Sequence, residues 1–125
     1  MNAPRRPSVR FDLTVLDTPD PQASATFYAA LLGWDVERSD DGWVTVRGAS
    51  GTGLAFQQAT DLVPTTWPDP SVPQQLHIDF DVDDLDEAEA FALRLGARKV
   101  EEPVHTDTFR VYRDPAGHPF CLCQA

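Results

Sequence analysis

One pattern is written twice in this chain, and that repeat constrains its fold more than any other feature. Asp17, Asp20 and Phe27 recur as Asp81, Asp84 and Phe91, all at one constant offset. Arg47, Gly51, Gln58 and Ala59 recur as Arg113, Gly117, Gln124 and Ala125, at a second constant offset slightly longer than the first. The lengthening falls between the two groups, where helix ends and hairpin loops tolerate length differences at little cost. A period of about half the chain, with matched caps, helix-ending glycines and turns, marks a structural repeat. The 125 residues are therefore expected to form one domain of two related modules.

Each module reads as strand, helix and three strands. In the first, Val9 to Asp17 is a predicted strand. Asp20 then caps a helix that opens with Pro21, carries Phe27, Ala30 and Leu31 at helical spacing, and ends at Gly33. Trp34 to Ser39, Trp43 to Arg47 and Leu54 to Gln58 follow as short strands separated by glycine-containing turns. In the second module, Gln75 to Val82 alternates. Leu76, Ile78, Phe80 and Val82 are predicted to face the helix, while His77, Asp79 and Asp81 face away. Asp83 or Asp84 caps a helix whose Leu85, Phe91 and Leu95 are expected to meet that apolar face, and Gly96 stops it. Lys99 to Glu101, Thr108 to Arg113 and Pro119 to Cys123 complete the unit, the last two joined by the turn Asp114-Pro115-Ala116-Gly117. Residues 1–8 are expected to be a mobile leader, 9–59 module one, and 76–125 module two. Residues 60–75, with Pro64, Pro68, Pro70 and Pro73, form an extended connector anchored by Trp67.

The expected class is α+β: two βαβββ modules in tandem, making a cup-shaped eight-stranded mixed sheet with helices outside. A four-stranded sheet with a helix on one face leaves the other bare, and two such faces enclose a cavity. The net charge of −10 argues against nucleic acid or an anionic membrane as partner. The basic cluster Arg5, Arg6 and Arg10 lies at the N-terminus. No apolar run is long enough to span a bilayer, and no secretory signal is read at the N-terminus. Cys121 and Cys123, two apart on one strand, do not suit a disulfide. Free thiols point to the cytoplasm.

The helix end Phe27-Tyr28-Ala29-Ala30-Leu31-Leu32-Gly33-Trp34, the strand Leu76-His77-Ile78-Asp79-Phe80-Asp81-Val82-Asp83-Asp84 and the hairpin Asp114-Pro115-Ala116-Gly117-His118-Pro119-Phe120 carry a family resemblance. Over residues 9–125 the chain resembles the vicinal oxygen chelate superfamily of glyoxalases, bleomycin-resistance proteins and extradiol dioxygenases. Its connector Thr66-Trp67-Pro68-Asp69-Pro70 is similar to that of glyoxalase-like members common in actinobacteria. Metal-using members place four ligands, usually His and Glu, on the first and last strands of each module, for Zn, Ni, Fe or Mn. The resemblance puts these positions at Leu13, Ala55, His77 and Cys121. Leu13 and Ala55 offer no donor, and a one-residue slip to Asp12 or Gln57 points the side chain to the wrong face. The set reads as vestigial, so no metal cofactor is expected; a divalent ion at this set is the alternative.

The expected ligand cavity takes Leu13, Trp34, Trp43 and Ala55 from module one, His77, Asp79 and Cys121 from module two, and Trp67 from the connector. His77 beside Asp79 is a candidate acid–base pair, and Cys121 opposite His77 a candidate thiolate–imidazolium pair. His105 is a candidate base at the cavity mouth, and His118 belongs to the hairpin turn. Two functions follow: a metal-independent protein that binds a small apolar or aromatic molecule, or a divergent lyase, isomerase or dioxygenase using a degraded metal site or acid–base residues. A third possibility is a subunit without a ligand of its own. A homodimer is expected.

Overall fold

The computed structural model describes residues 5–101 and 106–125. Module one comprises β1 (Thr14–Thr18), α1 (Pro21–Leu32), β2 (Asp35–Asp40), β3 (Trp43–Arg47) and β4 (Gly53–Gln58). Module two comprises β5 (Ile78–Val82), α2 (Leu85–Arg94), β6 (Arg98–Lys99), β7 (Phe109–Arg113) and β8 (Pro119–Gln124). The elements obey the sequence offsets: β5 and α2 follow β1 and α1 at the shorter one, and β7 and β8 follow β3 and β4 at the longer. Each module is a mixed sheet, ordered β1-β4-β3-β2 and β5-β8-β7-β6. β1 runs parallel to β4 and β5 parallel to β8, while the remaining pairs are antiparallel. Even the closing hydrogen bonds recur. Ala59 N donates to Thr18 O at 2.8 Å, and Ala125 N to Val82 O at 2.9 Å.

Local chemistry explains the helix starts. The Asp20 and Asp84 carboxylates accept from the backbone of Ala23 and Glu87, satisfying a donor that the first turn leaves open. Gly33 ends α1 in the left-handed conformation at φ +68°.

Two expectations need correction. The first strands of the modules begin later than predicted, at Thr14 and Ile78 rather than at Val9 and Gln75. Their ladder partners decide this. Thr14 pairs with Leu54 and Ile78 with Phe120, the second residues of β4 and β8, so residues before Leu13 and His77 have no strand to pair with. The fold class is the expected one, its eight strands lying in two mixed sheets of four with no ladder between β1 and β5 among the described residues. Finally, Phe91 stands 37% exposed under the Arg94 guanidinium, while Ala92 takes the buried place beneath α2.

Although the sheets are separate, the core under the helices is continuous. Leu16, Phe27, Tyr28, Val46 and Phe56 of module one pack in one cluster with Tyr112, Phe120 and Leu122 of module two. Tyr28 is the hinge of this arrangement. Its ring stacks on Phe56 at 5.5 Å and touches Phe80 and Phe120 across the junction at 6.2 and 6.5 Å. Its hydroxyl donates to Asp114 Oδ2 at 2.6 Å. The other Asp114 oxygen accepts from the backbone of Ala116 and His118, so one buried carboxylate closes the last hairpin and holds the first helix. Buried aromatics of this size each contribute about 1.5–3 kcal/mol of transfer free energy, which keeps the junction shut on the helix side. No helix of the described residues is long and apolar enough to cross a membrane.

Candidate functional site

Two cavities lie where β1 of module one meets the start of module two, and the repeat relates them. The smaller, about 250 Å³, is lined by Val15, Asp17, Gln75, Leu76, His118, Pro119 and connector residues including Leu62 to Thr65. The larger, about 510 Å³, has Phe11, Thr52, Gly53 and Asp79 among its walls. By the shorter offset, Val15 and Gln75 correspond to Asp79 and Phe11; by the longer, His118 and Pro119 correspond to Thr52 and Gly53. The cavities are thus pseudo-symmetric mates, one at each end of the junction.

The connector separates their fates. Pro64 lies so close to Gly117, at φ +96°, that a Cβ there would meet Pro64 Cβ at 2.8 Å. The mate of Gly117 is Gly51, at φ +94°, where a Cβ would find nothing within 4 Å. His118 adds a further tie across the closed end, its Nε2 lying 2.6 Å from the carbonyl oxygen of Asp17. One mate is roofed by the connector. The other is open.

The open cavity is mostly apolar. Leu32, Leu54, Ile78 and Phe80 line it with Trp34. A Cβ at Gly48 would come within 2.6 Å of Trp34 Nε1, so the bare backbone at Gly48 is what lets the indole lie flat there. Polarity gathers at one end, where His77 Nε2 stands 3.4 Å from Asp79 Oδ1 and both side chains are largely exposed. Asp79 pairs across the ladder with Cys121. The ligand atoms of His77, Asp79 and Cys121 all lie within 4.8 Å of one another, the one such group of three or more among the described residues. Burial, and then the charge of Asp79, pushes the Cys121 thiol up to about 12. A rise of that kind works against the thiolate–imidazolium pair with His77.

Of the sequence candidates, Trp34, His77 and Asp79 therefore come together at the open cavity, with Cys121 beside Asp79. Leu13 sits beside Gly53, and Ala55 is fully buried in β4 opposite Val15. Trp43 donates through Nε1 to Thr45 Oγ1 at 2.8 Å, on the face of its own sheet. Trp67 packs with Phe109 on Val100, Val111 and Cys121, and Arg113 donates to the carbonyls of Thr65 and Trp67 to hold the connector there. His105 lies outside the described residues. Sequence reasoning missed Leu32, Leu54, Thr14 and Thr52 as cavity walls, although applying the repeat offsets to the turn at His118 would have pointed to Thr52.

Comparison with known families agrees with this architecture. The glyoxalase-like domain family matches residues 13–123. The chain belongs to that family, within the vicinal oxygen chelate superfamily. Solved structures share the fold at low identity. A protein of Agrobacterium tumefaciens superposes with a TM-score of 0.70 at 24% identity, over 94% of this chain and 98% of that one. A glyoxalase/bleomycin resistance protein/dioxygenase family enzyme of Burkholderia phytofirmans gives 0.68 at 20% identity, over 90% and 96%. A glyoxalase family protein of Enterococcus faecalis gives 0.67 at 21%, over 91% and 96%. No curated protein matches the chain significantly.

The four-ligand centre of metal-using superfamily members does not fit this glyoxalase-like chain. Val15 faces Ala55 across β1 and β4 as Asp79 faces Cys121 across β5 and β8, so the register confirms which residues correspond. At the module-one positions, Leu13 and Ala55 present hydrocarbon only. The donors of module two have no counterpart across the junction.

Proposed function

We propose that this glyoxalase-like protein binds a small apolar or aromatic molecule, without a metal, in the open junction cavity. One observation carries the reading: of two pseudo-symmetric cavities, the one left open combines a rigid indole and aliphatic walls with a single polar end. A cavity of about 510 Å³ lies in the range that suits small ligands, and apolar walls with few polar groups are the usual form of such sites. The test is thermal stabilisation by a library of aromatic metabolites in the presence of EDTA, repeated with Thr52→Trp, which fills the cavity mouth. Stabilisation of the wild type alone is expected. One equivalent of transition metal in protein purified without chelators, lost in His77→Ala, would overturn the metal-free reading.

Catalysis is the second reading, and the close approach of His77 to Asp79 favours it as an acid–base pair. Under it, a bound ligand would be turned over as in a lyase or isomerase, and His77→Ala would stop turnover while leaving binding intact. The two free cysteines suit a cytoplasmic setting, and the exposed Val36 and Val63 leave apolar surface for a homodimer contact.

A further inference from the structure

The charge carried by the open cavity, the one a ligand can reach, bears on what it holds. Its lining contains one carboxylate, Asp79, and neither lysine nor arginine. In the roofed mate the position of Asp79 is Val15, and the one carboxylate of its lining is Asp17 instead. His77, the other ionisable group in the lining, contacts that carboxylate and carries charge only when protonated. The cation placed closest to this lining is neutralised by acidic partners. Arg47, whose Nη1 lies 2.9 Å from where a Cβ on Gly53 would sit, is committed to Asp12 and Glu37 and to the carbonyl of Gly51. Arg10, next to Phe11 in the chain, is exposed, donates to Ser8 and is not part of the lining. The field of the whole chain, net −10, points the same way.

An anionic ligand would meet Asp79 with no lysine or arginine in the lining to offset it, at an energetic penalty. A cationic one would meet a carboxylate and the face of an indole, both attractive to positive charge. We infer that the natural ligand is an organic cation, an amine carried on an apolar or aromatic body. Its ammonium sits at the His77–Asp79 end and its body lies between Trp34 and the aliphatic walls. This deepens the proposed function and rests on it.

Three probes of one shape test it: tryptamine, tryptophol and indole-3-propionate, which differ in the charge at the chain end. Binding is measured by calorimetry at low salt with EDTA throughout, so that a metal ion cannot mediate it. Tryptamine is expected to bind at least about tenfold more tightly than indole-3-propionate, with tryptophol between. Asp79→Asn, a near-isosteric change at an exposed carboxylate, should bring the three within about threefold of one another. Equal binding of the acid and the amine by the wild type would overturn the charge inference while leaving the cavity reading in place. So would an amine preference that survives Asp79→Asn. If none of the three binds, or if Thr52→Trp leaves binding unchanged, the cavity reading fails and the inference fails with it.

Discussion

Removing one oxygen from Tyr28 tests whether the two modules are held together as described. In Tyr28→Phe the ring keeps its place against Phe56 and Phe120, but Asp114 Oδ2 loses the hydroxyl that donates to it at 2.6 Å. Both residues are essentially fully buried, so water cannot substitute, and a hydrogen bond to a charged group at such a site is worth about 1.5–3 kcal/mol. Urea denaturation at pH 7 should show that loss as a lower midpoint with an unchanged slope, because the surface exposed on unfolding stays the same. The pH dependence gives a second, independent handle. Burial, then the charge and hydrogen bond of Asp114, raise the Tyr28 pKa well above its ordinary 10.0. A raised pKa stabilises fully below the unfolded value and loses that stabilisation as pH climbs above it. Above pH 10 the unfolded tyrosine ionises while the buried one keeps its proton, so the wild type loses about 1.4 kcal/mol per pH unit that the variant does not. The gap between the two proteins should therefore narrow from pH 10 upward. Tyr112, Cys121 and Cys123 also have raised values, but both proteins contain them and the difference cancels their effect. A loss below about 0.5 kcal/mol at pH 7, or a gap that stays constant to pH 11, would refute the role given to this pair.

Two further outcomes follow from named contacts. Glu89 Oε1 accepts from Tyr112 at 2.8 Å and pairs with Lys99 at 2.9 Å; burial raises its pKa, but these partners outweigh it and leave the carboxyl below its ordinary 4.5. A lowered pKa stabilises above the unfolded value and is lost as pH falls through the folded one, so Glu89→Gln should be less stable than wild type at pH 7 by about 1 kcal/mol, with urea midpoints converging below pH 4. Gly48→Ala should push the Trp34 indole off its seat, since the new Cβ would lie 2.6 Å from Nε1, costing about 1–3 kcal/mol, shifting the tryptophan emission and weakening ligand binding; unchanged emission and affinity would show that the indole is not a fixed wall.

How much of this was open to reading from the sequence depends on the range of the interactions involved. Caps, helix ends and hairpin turns are local, and Asp20, Gly33, Asp84 and Gly117 announced them by residue type. The repeat offsets were also visible, because both modules keep the same spacings between those signals. Strand starts were less so: Val9, Phe11 and Leu13 alternate as a strand should, yet β4 begins too late to pair with Val9 and Phe11. Phe91 and Ala92 fit the same helical stripe alongside Leu85 and Leu95, and only packing against β8 decides that the smaller one goes in. The cavity walls were hardest. Nothing in composition separates Trp34 from Trp43 and Trp67. Trp43 is drawn onto its own sheet by Thr45, and Trp67 is carried onto the other sheet by a connector that Arg113 holds in place.

That connector also explains how a duplicated fold comes to have one open junction cavity rather than two. Symmetry alone would give two equal cavities, since the offsets that match β1 with β5 and β4 with β8 also match Gly51 with Gly117 and Thr52 with His118. A chain joining two modules must run from the end of one to the start of the other, however, and it can cover only one end of their junction. Here it covers the end at Gly117, where Pro64 takes the space a side chain would need. The uncovered end is where module two places His77 and Asp79, and their mates Leu13 and Val15 carry no polar side-chain atom. The His77–Asp79 pair is therefore open to a ligand, whereas Asp17 and His118 lie at the end the connector covers. A polar pair beneath the connector would be shut away from ligand, and an open end lined by leucine and valine alone would offer nothing to orient one.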